Sequence, residues 1–140
     1  MMLLYGGPYV NHVYYINNRP QYVIPSSYLS ALHMQAKQRE IECDITIEDL
    51  HTLWLKQNGK CALTNISLEL KYRNKSKQTA SIDRKDSSKS YTINNIQWVH
   101  KNINYMKMDL EQQEFIDMCI LVAKHNKKKK QKKQKPIKKV

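Results

Sequence analysis

Glycine, proline and cysteine are all scarce in this chain, and basic residues outnumber acidic ones 24 to 12. The three cysteines, Cys43, Cys61 and Cys119, are odd in number and form no C-x-x-C pair. That is a poor disulfide framework and it fits a reducing compartment. No apolar run approaches the roughly 20 residues of a membrane span. The opening M-M-L-L-Y-G-G-P has neither a charged n-region nor an apolar h-region long enough for a secretory signal. The sequence therefore predicts a soluble, intracellular protein with no membrane partner. With 3 Gly, 4 Pro and 41% hydrophobic residues, the 140-residue chain can fill one modest core and makes one small domain rather than two. A mean hydropathy of -0.71 leaves much of its length in water.

What is present in excess is lysine, and it is unevenly spread. Of the net charge of +12, ten lysines between Lys124 and Val140 supply +10, so Met1 to Ala123 carries only about +2. A basic excess argues for a polyanionic partner, because each phosphate contact releases counterions. Charge alone does not separate DNA from RNA or anionic lipid. The Lys-rich segment 124–140 has nothing to bury and is predicted to be a disordered tail. It serves equally as an electrostatic tether, an import-like address or a solubilising end.

Residues 1–25 are rich in tyrosine, and V-Y-Y-I and Y-V-I flank N-N-R-P. This predicts an N-terminal arm or two short strands about an Asn/Pro turn, with tyrosines that either cover a small core or stack on bases. Residues 26–58 read as helical. Ser26 or Ser27 can cap a helix to Arg39 whose face holds Tyr28, Leu29, Leu32 and Ala36. Lys37 and Arg39 suit its C-terminal dipole or a phosphate. Thr46 with Asp49 signals a capping box, Ile47, Leu50, Leu53 and Trp54 keep the helical period, and Asn58-Gly59 ends the run. His51 is expected at the edge of that stripe.

Residues 59–123 hold the chemistry. C-A-L-T-N-I-S-L-E-L (61–70) alternates as a strand with a bend at Asn65. K-Y-R-N-K-S-K-Q (71–78) is a basic connection whose Lys71, Arg73 and Lys75 suit either a phosphate backbone or plain solvation. T-A-S-I-D (79–83) returns as a second strand, and a loop follows to Asn94. A helix over roughly 98–108 is predicted, buried through Ile96, Val99, Ile103 and Met106. On such a helix His100, Asn104 and Lys107 share a face. A last helix from about Asp109, with Gln112 returning the cap, packs Phe115, Ile116, Cys119, Ile120, Val122 and Ala123 inward.

Four blocks in this order, A-S-I-D-R (80–84), S-S-K-S-Y (87–91), N-N-I-Q-W-V-H-K (94–101) and N-Y-M-K (104–107), with G-K-C-A-L-T (59–64) upstream, cover about half the chain. They resemble the His-Asn-His (HNH) endonucleases, the ββα-metal finger nucleases, in particular small phage-type members. The resemblance implies an α+β fold, a ββα-metal (His-Me) finger flanked by helices, that cleaves DNA, double-stranded first of all, with Mg²⁺ or Mn²⁺. It implies Asp83 as the carboxylate ligand, Asn104 as the second ligand on the helix, Asn95 as the brace of the loop and Lys107 facing the phosphate. Hard oxygen donors such as these suit a hard divalent ion. Each also has a plain alternative: Asp83 paired with Arg84 or capping a turn, Asn104 as an ordinary surface amide.

One position departs from the family. Arg84 stands where its members have the histidine base, and a guanidinium does not deprotonate in proteins. Arg84 can clamp the scissile phosphate instead, and Asp-Arg here is associated with the phage-type subgroup. His100 is then the candidate base by its near-neutral pKa. The same residue also fits a relic of a zinc staple, since Cys61 and His100 stand where zinc-bound relatives begin two ligand pairs that Thr64 and Ile103 fail to complete. Two ligands do not make a structural zinc site. Lys85, Lys89 and Lys101 join Lys71, Arg73, Lys75, Arg84 and Lys107 as nucleic-acid contacts. Ser90 replaces a common glycine. The functional expectation is a metal-dependent DNA endonuclease. The rivals are a binding module that kept the finger and lost its base, and a basic scaffold whose tail does the binding. Lys, Asn and Ile enrichment suggests an AT-rich genome, of the viral or phage kind.

Overall fold

A computed structural model describes residues 14–16, 19–71 and 77–133, a mixed α+β arrangement. Arg73, Lys75, the first Tyr residues and the last part of the Lys-rich segment lie outside the described residues. Strands β1 (Tyr14–Ile16) and β2 (Arg19–Gln21) pair antiparallel. Two helices follow, α1 (Ser26–Gln38) and α2 (Ile47–Lys56). A second antiparallel pair, β3 (Ala80–Arg84) and β4 (Ile96–His100), runs in the register Ile82↔Trp98 and Asp83↔Gln97. Helix α3 (Lys101–Lys107) starts directly from β4, and α4 (Gln112–Lys133) completes the chain's described part.

Local chemistry accounts for the helices. Tyr28, Leu32 and Ala36 recur every four residues and are the buried residues of α1. Its start differs from expectation: Pro25 is the cap residue, with no side-chain cap, and Ser26 is already helical. Proline's fixed φ and missing N–H cost nothing at a helix start. At α2 the capping box forms in both directions. Thr46 Oγ1 accepts from the Asp49 N–H (3.2 Å) and Asp49 Oδ2 from the Thr46 N–H (2.9 Å). The helix ends through Asn58 and Gly59, both at positive φ. A Cβ at Gly59 would lie 3.0 Å from the Trp54 ring, so glycine is needed there for space as well as conformation.

The core is centred on Trp98, which is fully buried among Leu50, Ile96, Val99 and Ala80. Its ring meets Tyr28 and Trp54 edge-on at 5.1 and 5.2 Å, and its Nε1–H donates to the Leu50 carbonyl (3.1 Å). His51 is buried in this region and not at the edge of the stripe, its Nδ1 accepting from the Val23 N–H (3.2 Å) with Tyr22 edge-on to the ring.

Three expectations are corrected. Residues 61–70 form a tight turn, not a strand: Asn65, at φ 62°, donates back to the Cys61 carbonyl, and the arms meet in one bridge, Lys60↔Ser67. A reversal that close to Cys61 leaves no length for a ladder. Residues 96–100 are strand rather than helix. I-Q-W-V-H is covered on both faces, and a fully buried strand loses the alternation that would announce it. Met106 is exposed accordingly. Finally, α4 continues to Lys133, where disorder was expected from Lys124. Lysine is a good helix former even with nothing to bury. Among the described side chains of α4 only Phe115 is buried, while Ile120, Val122 and Ala123 are exposed instead of packed. Its cap is the Glu111 carboxylate, which accepts from the Gln113 and Glu114 N–H groups, and not Asp109 with Gln112.

The Gln57 side chain holds β4 against the end of α2. Its Oε1 accepts from the Trp98 N–H and its Nε2 donates to the Trp98 carbonyl, both at 2.9 Å. Gln57→Ala strips the Trp98 N–H of its partner inside the core. Urea unfolding should show a loss of about 1–3 kcal/mol, with the denaturant slope unchanged.

Candidate functional site

β3 brings two adjacent side chains to the centre of the molecule, Asp83 and Arg84, both buried. Asp83 Oδ2 accepts from Gln97 Nε2 (3.0 Å) on the neighbouring strand, and Lys107 Nζ lies 3.3 and 3.2 Å from its two oxygens. The same ammonium donates to the Arg84 carbonyl (2.9 Å) and is 1% exposed. Lys107 is therefore the buried counter-ion of Asp83 and does not face a phosphate. A buried lysine charge needs such a partner, since taking either ion out of water alone costs several kcal/mol.

Asn104 lies one turn before Lys107 on α3 and also reaches β3. Its Nδ2 donates to Ser81 Oγ (2.7 Å) and to the Ile82 carbonyl (3.3 Å). A carbonyl can only accept, which fixes the amide orientation and leaves Oδ1 available. Asp83 and Asn104 line one cleft of about 410 Å³, with Arg84, Lys101, Arg39, Gln35, Tyr91, Tyr105 and Asp109 among its other walls. Met108, in the left-handed region at φ 47°, turns the chain from α3 to bring Asp109 there. Ser87 Oγ donates to the Asp109 carbonyl across the cleft's end (3.0 Å).

The guanidinium of Arg84 is aimed by the loop. It donates through Nη1 to the Lys89 carbonyl (2.8 Å) and stacks 4.8 Å from the Tyr91 ring centroid. Arg84 also lines the cleft. The loop itself is held by Asn95. Its Nδ2 donates to the Asp86 and Ser90 carbonyls (3.0 and 2.9 Å), and its Oδ1 accepts from the Asp86 N–H (3.0 Å). Asp86 in turn accepts from the Ser88 hydroxyl (2.6 Å) and N–H (2.9 Å), with Lys89 at 3.6 Å, and these hold its carboxyl below the usual value of 3.8.

His100 is set apart from this cleft. It is the cap residue of α3, not a member of the helix, and its Nδ1 accepts from the Asn102 N–H (3.1 Å). It is absent from the cleft lining. Its backbone lies beside Cys61. Burial pushes that thiol up, but donors from Thr64 and from the His100, Leu63 and Thr64 backbone outweigh it and leave it below 9.0. Among the described residues no group of three or more His, Cys, Asp or Glu is placed to hold a metal ion.

Of the other expected contacts, Lys101 lines the cleft. Lys85 and Lys89 are exposed on the loop, and Lys71 is half-buried. Sequence reasoning missed Gln35, Tyr105 and Asp109. Nothing local marks them, because α1, α3 and the turn after it meet only through the fold. Arg39 was legible as a cation at a helix end, though not as a neighbour of Asp83.

Lys107→Met leaves the Asp83 carboxylate buried and unpaired, and should cost about 3–5 kcal/mol in chemical denaturation. Adding Asp83→Leu should return most of that, since no lone charge remains. The Asp86 contribution is complete above pH 3.8 and is lost as the pH falls below it, the sign for a carboxyl lowered on folding. The protection factor of the Ser88 amide, its exchange rate divided into the intrinsic rate at the same pH, should therefore fall on acidification, and Asp86→Asn should remove that dependence.

Compared with protein-family models, curated proteins and solved structures, the chain matches none.

Proposed function

We propose that the chain is a metal-dependent endonuclease of the HNH kind that hydrolyses DNA phosphodiester bonds, with β3, β4 and α3 as its ββα-metal finger. The observation that carries this reading is that Asp83 and Asn104, distant in sequence, line one cleft whose walls also hold Arg39, Arg84 and Lys101. Oxygen donors inside a ring of cations are what a phosphodiester and a hard divalent ion require together.

The donor set fits Mg²⁺ or Mn²⁺. Asp83 and Asn104 Oδ1 are hard oxygens, and Mg²⁺ is commonly held by one or two carboxylates plus substrate phosphate. When bound, the ion would neutralise charge developing on the phosphate and leaving oxygen. Arg84, pre-aimed by Lys89 and Tyr91, binds the non-bridging oxygens with Arg39 and Lys101. Lys107, at both oxygens of Asp83, holds that carboxylate in place. The proton acceptor passes from His100 to Asp109, an acidic residue of the turn after α3 that lines the cleft. The lysines beyond Ala123 raise the encounter rate with a polyanion and make it salt-dependent.

A second reading has its own observation. The Lys107 ammonium already sits on both oxygens of Asp83, and a cation there can stand in for a metal in a module that binds nucleic acid without cutting it.

Nicking of supercoiled plasmid separates the two. The full chain should nick with Mg²⁺ or Mn²⁺ and not with EDTA. Asp83→Asn and Asp109→Asn should each slow nicking about 10²-fold or more, and Arg84→Ala should slow it comparably. His100→Ala should stay within about threefold, as befits a helix cap. DNA binding without metal-dependent nicking at any concentration would establish the binding module instead.

A further inference from the structure

We propose that two copies of this chain pair through α4, packed antiparallel about a two-fold axis near Ile120 and Leu121. This inference is independent of the cleft and of the nuclease reading.

The first observation is an apolar surface too large for a surface helix. α4 is anchored at Phe115, with Ile116 and Cys119 half-covered, yet Met118, Ile120, Leu121 and Val122 are 52, 43, 61 and 61% exposed. M-C-I-L-V-A (118–123) is apolar all round, and such a turn of helix is ordinarily buried. Met118, Leu121 and His125, all exposed, follow the three-and-four spacing of a helix-pairing seam that runs beside Phe115.

The second observation is the charge pattern, which selects the partner. On the N-terminal side of the apolar turn stand Glu114 and Asp117, and on the C-terminal side Lys124 and Lys127, all exposed. The two pairs mirror each other about the same midpoint. An antiparallel copy sets Asp117 against the partner's Lys124 and Glu114 against the partner's Lys127, and the two-fold axis repeats each pair. Asp117 and Lys124 are seven residues apart, so they flank one side of the seam. A parallel copy would instead align lysine with lysine. An anionic lipid surface would gain from the lysines but meet Glu114 and Asp117 with repulsion, and gives no reason for their mirror placement. A second copy satisfies both the apolar turn and both charge groups at once.

Sedimentation equilibrium on the full chain, with circular dichroism to check folding, tests this. The wild type should sediment as a dimer at tens of micromolar, and Leu121→Asp should be a monomer of unchanged helicity. Asp117→Lys and Lys124→Asp should each weaken dimerisation about three- to tenfold, each pair being counted twice. The double variant Asp117→Lys/Lys124→Asp should restore it, which general surface-charge effects would not do. A monomeric wild type at about 100 µM overturns the proposal. So does failure of the double variant to recover, or binding of the monomeric chain to vesicles of phosphatidylserine through the same residues.

Discussion

The ion pair between Asp83 and Lys107 is the constraint around which the rest of the structure is arranged. Two charges lie out of water at 3.2 Å, and such a pair stabilises only if its geometry is maintained and its remaining bonding capacity is used. Asp83 comes from β3, Lys107 from the last turn of α3, and Gln97 of β4 adds a donor to the carboxylate. Gln97 also donates to Gln112 Oε1 (2.8 Å), at the first residue of α4. Three elements therefore meet at one carboxylate, and Gln97 links the fourth, α4, to them. Fixing Lys107 fixes α3 on the sheet, and with it Asn104, which could not otherwise stand at the same cleft as Asp83.

The Asp-Arg sequence acquires a division of labour from this arrangement. Both side chains are buried, but Asp83 is neutralised from within, whereas the charge of Arg84 is satisfied by a carbonyl and an aromatic face. Neither of those partners carries a formal charge. Among the described residues the guanidinium therefore has no carboxylate in an ion pair with it. The loop that aims it is tied at both ends by a single amide, Asn95, so the polar stretch from Lys85 to Asn94 is ordered without apolar packing of its own.

How far the sequence could be read depended on whether the signal was local. The α2 capping box, the Gly59 stop and the bend at Asn65 are set by neighbouring residues, and each is legible in the chain. β4 was not, because burial on both faces erased its alternation and left an apolar run that also fits a helix. Lys107 was misjudged for a related reason: an ammonium in a basic chain reads as a surface group until its partner, 24 residues earlier, is known. Asp83 and Asn104 were legible only as parts of a longer pattern of blocks. The walls of the cleft contributed by α1 and by the turn after α3 are assembled by tertiary packing alone.

A sheet of two strands has nothing but edges, and in the β3–β4 pair side chains bond to both of them. Along β3 the outward carbonyls of Ala80, Ile82 and Arg84 are taken by Tyr28, Asn104 and Lys107. Along β4, Gln57 occupies both backbone groups of Trp98 as another strand would. Each of these bonds takes up a backbone group that strand addition would need, and so works against templated aggregation of the β3–β4 pair. Asn104 and Lys107 thereby acquire a second duty: drift at either would uncover part of an adhesive flank as well as open the cleft wall, so solubility and the shape of the cleft constrain the same two residues.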